Sequence, residues 1–195
     1  MNSFFEYLGS YDIVLEEEDR SNISSKLKSR KYLKGQYISQ SGDVSKWYSF
    51  IISGKVRTFY LDTDGDEHII AFGIENWWVA DLGSLITQKP ADFEVQCLEN
   101  TEVIQIHHED LQELYKTVPK LERFFRLLIQ NAYVFTQKRL VRNLSLSAQE
   151  RYLLLQEEHP QFIQRFPQYM IASYLGVTKE FLSHLKSQIA KSRKS

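Results

Sequence analysis

Six polar side chains fall within nine residues near the end of this 195-residue chain: Thr178, Lys179, Glu180, Ser183, His184 and Lys186. Apolar Leu175, Val177, Leu182 and Leu185 alternate with them at helical spacing, and Gly176 breaks the run. The pattern predicts two short helices. Gly176 takes the left-handed backbone that ends the first, and Thr178 caps the start of the second. Ala172, four residues before Gly176, leaves room for the helices to approach closely. Such a pair suits the floor of a DNA major groove. Lys179 would reach guanine O6 and N7 or a phosphate, and Glu180 would accept from cytosine N4. Thr178 would face a phosphate from the helix N-terminus, Ser183 would share the groove, and Lys186 and Lys191 would contact the backbone. The competing reading of the same residues is a solvated helix face.

Other chemistry finds less support. Asp62-Thr-Asp-Gly-Asp-Glu67 is acidic enough for a calcium loop, but Gly65 comes too early and the flanks read as strands; a hairpin turn is expected. Cys97 is the sole cysteine. It can form no internal disulfide, and by itself it holds neither an iron–sulfur cluster nor a thiolate zinc site. His107-His108 is the one close histidine pair and reads as a loop pair at a strand end. A jelly-roll metalloenzyme of the cupin type would use His68 and Glu75 but lacks a His-x-His pair. No nucleophile–base set, Gly-rich phosphate loop or paired acid stands out, so no enzyme is expected and no cofactor is required.

The elements that must position the Thr178–Lys186 face come earlier. Residues 4–28 suggest one or two short amphipathic helices. From Arg30 to about His107, short runs rich in β-branched and aromatic residues recur: 31–38, 47–52, 55–61, 68–72, 93–98 and 102–106, punctuated by Gly35, Gly42, Gly54 and Gly65. They predict an antiparallel roll or sandwich. Beyond Asp110 the chain turns helical. Leu121, Phe125, Leu128, Ala132 and Phe135 recur at steps of four and three along a helix from Pro119 to about Leu144. That seam packs either on its own domain or on a second copy. Ser147-Ala-Gln-Glu150 is a capping box for a further helix ending before Pro160. The domains expected are residues 1–118, a connecting helix 119–144, and a helical domain 145–195. The class is α+β.

Composition is compatible with this division. With 43% hydrophobic and 13% aromatic residues the chain can bury a core, which argues against global disorder. Net charge is −1, yet residues 170–195 carry +4 and the remainder −5. A basic end on an acidic body fits a local nucleic-acid footprint as well as a solvated tail. No segment reaches ~18 uninterrupted apolar residues and no secretory leader is evident. With the lone cysteine, a soluble cytoplasmic protein is expected.

The order of these elements resembles the Crp/Fnr family of bacterial transcription regulators over nearly the whole chain. Lys34-Gly35, Ser41-Gly-Asp43, Phe50-Ile-Ile-Ser-Gly54, Asp64-Gly65 and Trp78-Val-Ala-Asp-Leu-Gly83 are similar to that family's glycine-marked turns. Leu144–Tyr152 and Ile171–Glu180 resemble its Bacteroidetes-type branch. The resemblance implies a jelly-roll, cyclic-nucleotide-binding-like sensory domain, a long dimerisation helix and a helix-turn-helix. It also implies a homodimer on a two-fold double-stranded DNA site, with RNA polymerase as a candidate partner and no membrane. Two recognition helices would have to stand about 34 Å apart to enter successive major grooves.

The resemblance also carries departures. The family's nucleotide binders hold the cyclic phosphate with a Gly-Glu pair on a short helix and an Arg-Ser pair after a loop. Here Ala80-Asp81-Leu82-Gly83-Ser84 and Ala91-Asp92 stand at those places. A carboxylate in place of the Arg would repel a phosphate, so a small-molecule effector at Asp81, Leu82, Gly83, Ser84, Ala91 and Asp92 is expected to be something other than cAMP or cGMP. The family's oxygen sensors need several cysteines. Lys179-Glu180 matches an Arg-Glu pair, whereas His184 stands where relatives carry Arg and cannot make the bidentate guanine contact. Only Ala190–Ser195 follow Ile189, so the usual two-stranded wing is expected to be absent or reduced. A relative that has lost DNA binding and acts through protein contacts is the alternative.

Overall fold

The computed structural model describes residues 2–192. The chain divides into two compact units. One comprises Met1–Leu61 with Ile70–Asn131, and the other Asp62–Ile69 with Ala132–Ser195. The division falls inside the long helix instead of at its ends, and it assigns a hairpin tip to the helical unit.

The first unit begins with helices α1 (Asn2–Gly9) and α2 (Glu17–Lys26). Glu16 and Asp19 form a capping box at the start of α2. Lys120 lies 3.3 Å from Glu16 and 3.2 Å from Asp19. Eight strands follow: β1 (Leu27–Tyr32), β2 (Tyr37–Ser39), β3 (Trp47–Ser53), β4 (Val56–Leu61), β5 (Glu67–Gly73), β6 (Trp78–Val79), β7 (Glu94–Cys97) and β8 (Thr101–His107). Helix α3 (Leu82–Thr87) interrupts them, and α4 (His108–Thr117) succeeds them. The strands make two four-stranded sheets ordered β1-β8-β3-β6 and β2-β7-β4-β5. The single run expected at 31–38 is therefore two strands in different sheets.

The central strands β3 and β8 of the first sheet are buried on both faces, which is why they read as near-continuous apolar runs, whereas edge strand β1 is mostly exposed. Successive side chains of a strand point to opposite faces. Tyr48, Phe50, Ile104 and Ile106 pack with Phe4, Leu8, Leu111 and Leu114 of the helices. Ile51 and Val103 join Val56, Val95 and Cys97 from the second sheet. Two polar residues lie inside. Ser49 and Gln105 face each other in register, and the Gln105 amide donates to Ser49 Oγ at 2.8 Å and to the Tyr32 hydroxyl at 3.1 Å. Gly54, at φ +99°, turns β3 into β4 where an added Cβ would come within 2.9 Å of the Asn100 carbonyl.

Helix α5 spans Pro119–Ser145. Its first half belongs to the β unit: Leu121 and Phe125 are 1% and 2% exposed, and Leu128 packs against the same core. Phe125 meets Tyr48, Trp78 and Tyr115 at ring distances of 5.4, 4.9 and 5.9 Å. Of the two readings of the seam, these three residues follow the first and pack on their own domain. Aromatic side chains distant in sequence draw this part of the seam inward, with Leu121 and Phe125 buried and Leu128 partly so.

The second unit continues with α6 (Ala148–Glu158), α7 (Pro160–Arg165), α8 (Gln168–Leu175) and α9 (Lys179–Ser192). Ser147 and Glu150 form the expected capping box. Phe135 packs its ring against His159, which stacks on Phe162. Ala132 is exposed. Within this unit Asp62 closes the acidic turn by accepting from the Asp64 and Asp66 amides. Ser173 donates to the Glu67 carbonyl and accepts from the Ile69 amide, both at 3.0 Å.

Candidate functional site

Helices α8 and α9 meet at Gly176, whose φ of 69° and ψ of 36° are left-handed. The Gly176 and Val177 amides return to carbonyls of Ser173 and Ala172. Ala172 is 1% exposed. Thr178 Oγ1 accepts from the Phe181 amide at 3.1 Å and so caps α9. Leu182, Leu185 and Ile189 bury one side of α9. The opposite side is a shallow concavity lined by Lys179, Glu180, Ser183, His184 and Ser187. Helical periodicity brings together four of the six side chains singled out from sequence. Thr178 sits at the helix start, and Lys186 lies half-buried on the flank.

Three features of this region escaped the sequence. Phe181 is half exposed on α9 beside the polar face. Arg139 from α5 donates to the Tyr174 and Ile69 carbonyls at 3.0 and 3.2 Å. Arg151 from α6 donates to the carbonyls of Leu175 and Leu146 at 3.0 and 2.9 Å. Two guanidiniums thus satisfy carbonyls at the C-terminus of α8, where the helix dipole is negative. Burial holds the Arg139 pKa below its ordinary value. Arg142 adds a bidentate pair with Glu158 at 2.6 and 2.7 Å, which lowers that carboxyl and raises the guanidinium. No local pattern marks Arg139 or Arg151, because their acceptors at the end of α8, Tyr174 and Leu175, are distant in sequence. Of the tail on which the wing expectation rests, Ala190–Ser192 continue α9, and residues 193–195, with Arg193 and Lys194 of the basic end, lie outside the described residues.

In the β unit the other candidate residues converge on one buried carboxylate. Asp81 is 2% exposed. Its Oδ1 accepts from the Ser84 amide at 2.8 Å, and its Oδ2 accepts from the amides of Asp92 and Phe93 at 2.9 and 3.1 Å. Ser84, also buried, accepts from the Ser45 amide and donates to the Lys89 carbonyl. Ala91 is buried, Asp92 and Gly83 are exposed, and Leu82 packs partly on the aromatic core. Asp81, Ser84 and Asp92 are therefore neighbours. The N–H groups that could hold an incoming anion already hold the chain's own carboxylate.

Metal and membrane chemistry gain little from the geometry. Among the described residues no group of three His, Cys, Asp or Glu side chains could hold a metal ion. Cys97 is buried, and desolvation raises its thiol pKa. His107 and His108 sit at a strand–helix junction, where His107 caps α4 and packs on Trp47. No described helix is long and apolar enough to cross a membrane.

Comparison with known proteins adds the following. Residues 29–118 match the Cyclic nucleotide-binding domain family. The fumarate and nitrate reduction regulatory protein of Vibrio cholerae is 28% identical over 191 residues, covering 92% of this chain and 76% of that protein. The c-di-GMP responsive global regulator CLP of Xanthomonas campestris superposes with a TM-score of 0.73 at 17% identity, covering 91% and 93% of the two chains. A structure described as a transcriptional regulator of the Crp/Fnr family from Eubacterium rectale gives 0.70 at 15% identity, covering 91% and 85%. The two superpositions show the fold.

Proposed function

We propose, from the support these likenesses give to a Crp/Fnr-family transcription regulator, that the chain binds duplex DNA as a homodimer through a helix-turn-helix formed by α8 and α9. The observation that carries this is the outward face of α9. Lys179, Glu180, Ser183 and His184 are exposed together on a helix whose opposite face is anchored by Leu182, Leu185 and Ile189. Side chains of those types read base edges and phosphates in a major groove. In this reading the chain is of the Bacteroidetes-type branch, which the likeness of Leu144–Tyr152 and Ile171–Glu180 to that branch supports. In this reading it acts on transcription by altering RNA polymerase at nearby promoters, in response to a small molecule that is not a cyclic nucleotide. Asp81 supports the last point, since its carboxylate occupies the Ser84, Asp92 and Phe93 amides.

Selection from random duplexes tests the reading. A two-fold symmetric sequence should be enriched, with half-sites about one helical turn apart and an affinity that falls steeply with salt. Equal affinity for every duplex would overturn it.

A dimer needs an unburied apolar surface, and α5 offers one beyond the inward-turned seam. Tyr133, Val134, Leu140, Val141 and Leu144 are 46–81% exposed. Tyr133 and Leu140 are seven residues apart, as are Val134 and Val141, the spacing of a helix-on-helix contact. The double variant Leu140→Glu, Leu144→Glu is expected to sediment as a folded monomer and to lose at least about tenfold in affinity for a two-fold site, since linked contacts are lost together. A variant that stays dimeric would place the interface elsewhere.

A further inference from the structure

Strands β1 and β2 each lie at the edge of their own sheet. A cleft of about 230 Å³ opens between them, bounded by the segment that leads into β3. That is on the order of seven water volumes, enough for a small metabolite. Its walls include Arg30, Tyr32, Tyr37, Ser39, Asp43 and Lys46. We propose that this cleft is a binding site for a small phosphate monoester with a hydroxylated carbon chain.

Charge is the first reason. Arg30 holds its guanidinium 4.8 Å over the Tyr32 ring, and neither it nor Lys46 has a carboxylate partner among the described residues. Asp43 is the single acid in the lining, so the cleft carries an excess of positive charge. Guanidinium and ammonium groups together match a phosphate dianion. The second reason is polar satisfaction. Ser39 Oγ is closed to solvent and has no hydrogen-bond partner. A buried hydroxyl left unpaired is costly, and rotation of the Ser39 side chain into the cleft would pair it with a ligand hydroxyl. The third is shape. Tyr37 presents a partly exposed ring beside that hydroxyl, a surface for a short carbon chain. Protection of a sheet edge explains Lys28 and Lys31 on β1. It does not explain an unpaired serine hydroxyl in the wall of a basic cleft.

The site deepens the reading of an effector-controlled regulator and rests on it only for the consequence, so the test reads binding itself. Full-length protein is titrated with glycerol phosphate and, separately, inorganic phosphate, at ionic strength held constant with chloride. Glycerol phosphate should raise the melting temperature saturably, as mass action requires, and bind more tightly than inorganic phosphate. Arg30→Gln with Lys46→Gln should weaken it by at least about tenfold. Ser39→Ala should weaken glycerol phosphate severalfold and leave inorganic phosphate unchanged. Lys179→Gln, on the proposed DNA face, should change neither. Absence of a saturable shift, the same shift in the Arg30/Lys46 variant, or its loss in the Lys179 variant would each overturn the proposal. DNA binding unaltered by a ligand that does bind would leave the site standing and sink its regulatory role alone.

Discussion

Asp81→Ala is expected to destabilise the β unit by about 4 kcal/mol. The carboxylate is 2% exposed and accepts three backbone N–H bonds of 2.8, 2.9 and 3.1 Å. Removing it strands three donors, each costing about 1–3 kcal/mol when buried and unmet, with water recovering part of the loss. For a chain of this length that lowers the melting temperature by about 10 °C. Asp81→Asn should be nearly as damaging. An amide has one acceptor oxygen, and its NH2 would face donors. Trp47, Trp77 and Trp78 all lie in the β unit, so tryptophan fluorescence during urea unfolding follows that unit alone. A loss below about 1 kcal/mol would mean that solvent replaces the carboxylate and that the 81–93 segment is held by something else.

Lys179→Ala is expected to cut affinity for the selected two-fold site by about a hundredfold. A single base or phosphate contact is worth about 1–3 kcal/mol, and a homodimer loses it twice. If Lys179 contacts phosphate, the slope of log affinity against log salt should become shallower by about two for the dimer. If it contacts guanine, the slope should change less and one symmetric pair of positions should lose its preference. Fluorescence anisotropy at several salt concentrations separates the two outcomes. Unchanged affinity and slope would remove Lys179 from the interface. It would also shift weight to Phe181, whose half-exposed ring is suited to a thymine methyl.

Local signals made much of the architecture legible. Gly176 and Thr178 marked the junction of α8 and α9 because a left-handed residue and a capping hydroxyl act within four residues. Ser147 and Glu150 marked the start of α6 for the same reason. Alternation and turn residues marked the strands, although they did not separate β1 from β2. That division depends on which neighbour each strand meets, β8 for one and β7 for the other.

By itself, the amino-acid sequence determined the succession of helices, strands and helices, the caps at Thr178 and Ser147, the helical periodicity that gathers Lys179, Glu180, Ser183 and His184, and a lone cysteine unable to hold a cluster. All of these follow from neighbours in the chain. The tertiary structure alone decided which face of α5 is buried, because Phe125 is chosen by Tyr48 and Trp78, about 80 and 50 positions away. It decided that Asp81 serves the chain's own amides, since a carboxylate has no preferred partner until folding brings Asp92 and Phe93 to it. It also decided that Arg139 and Arg151 hold the end of α8. Charge and hydrogen-bonding capacity are written in each residue; what they are spent on depends on distances that only the folded chain sets.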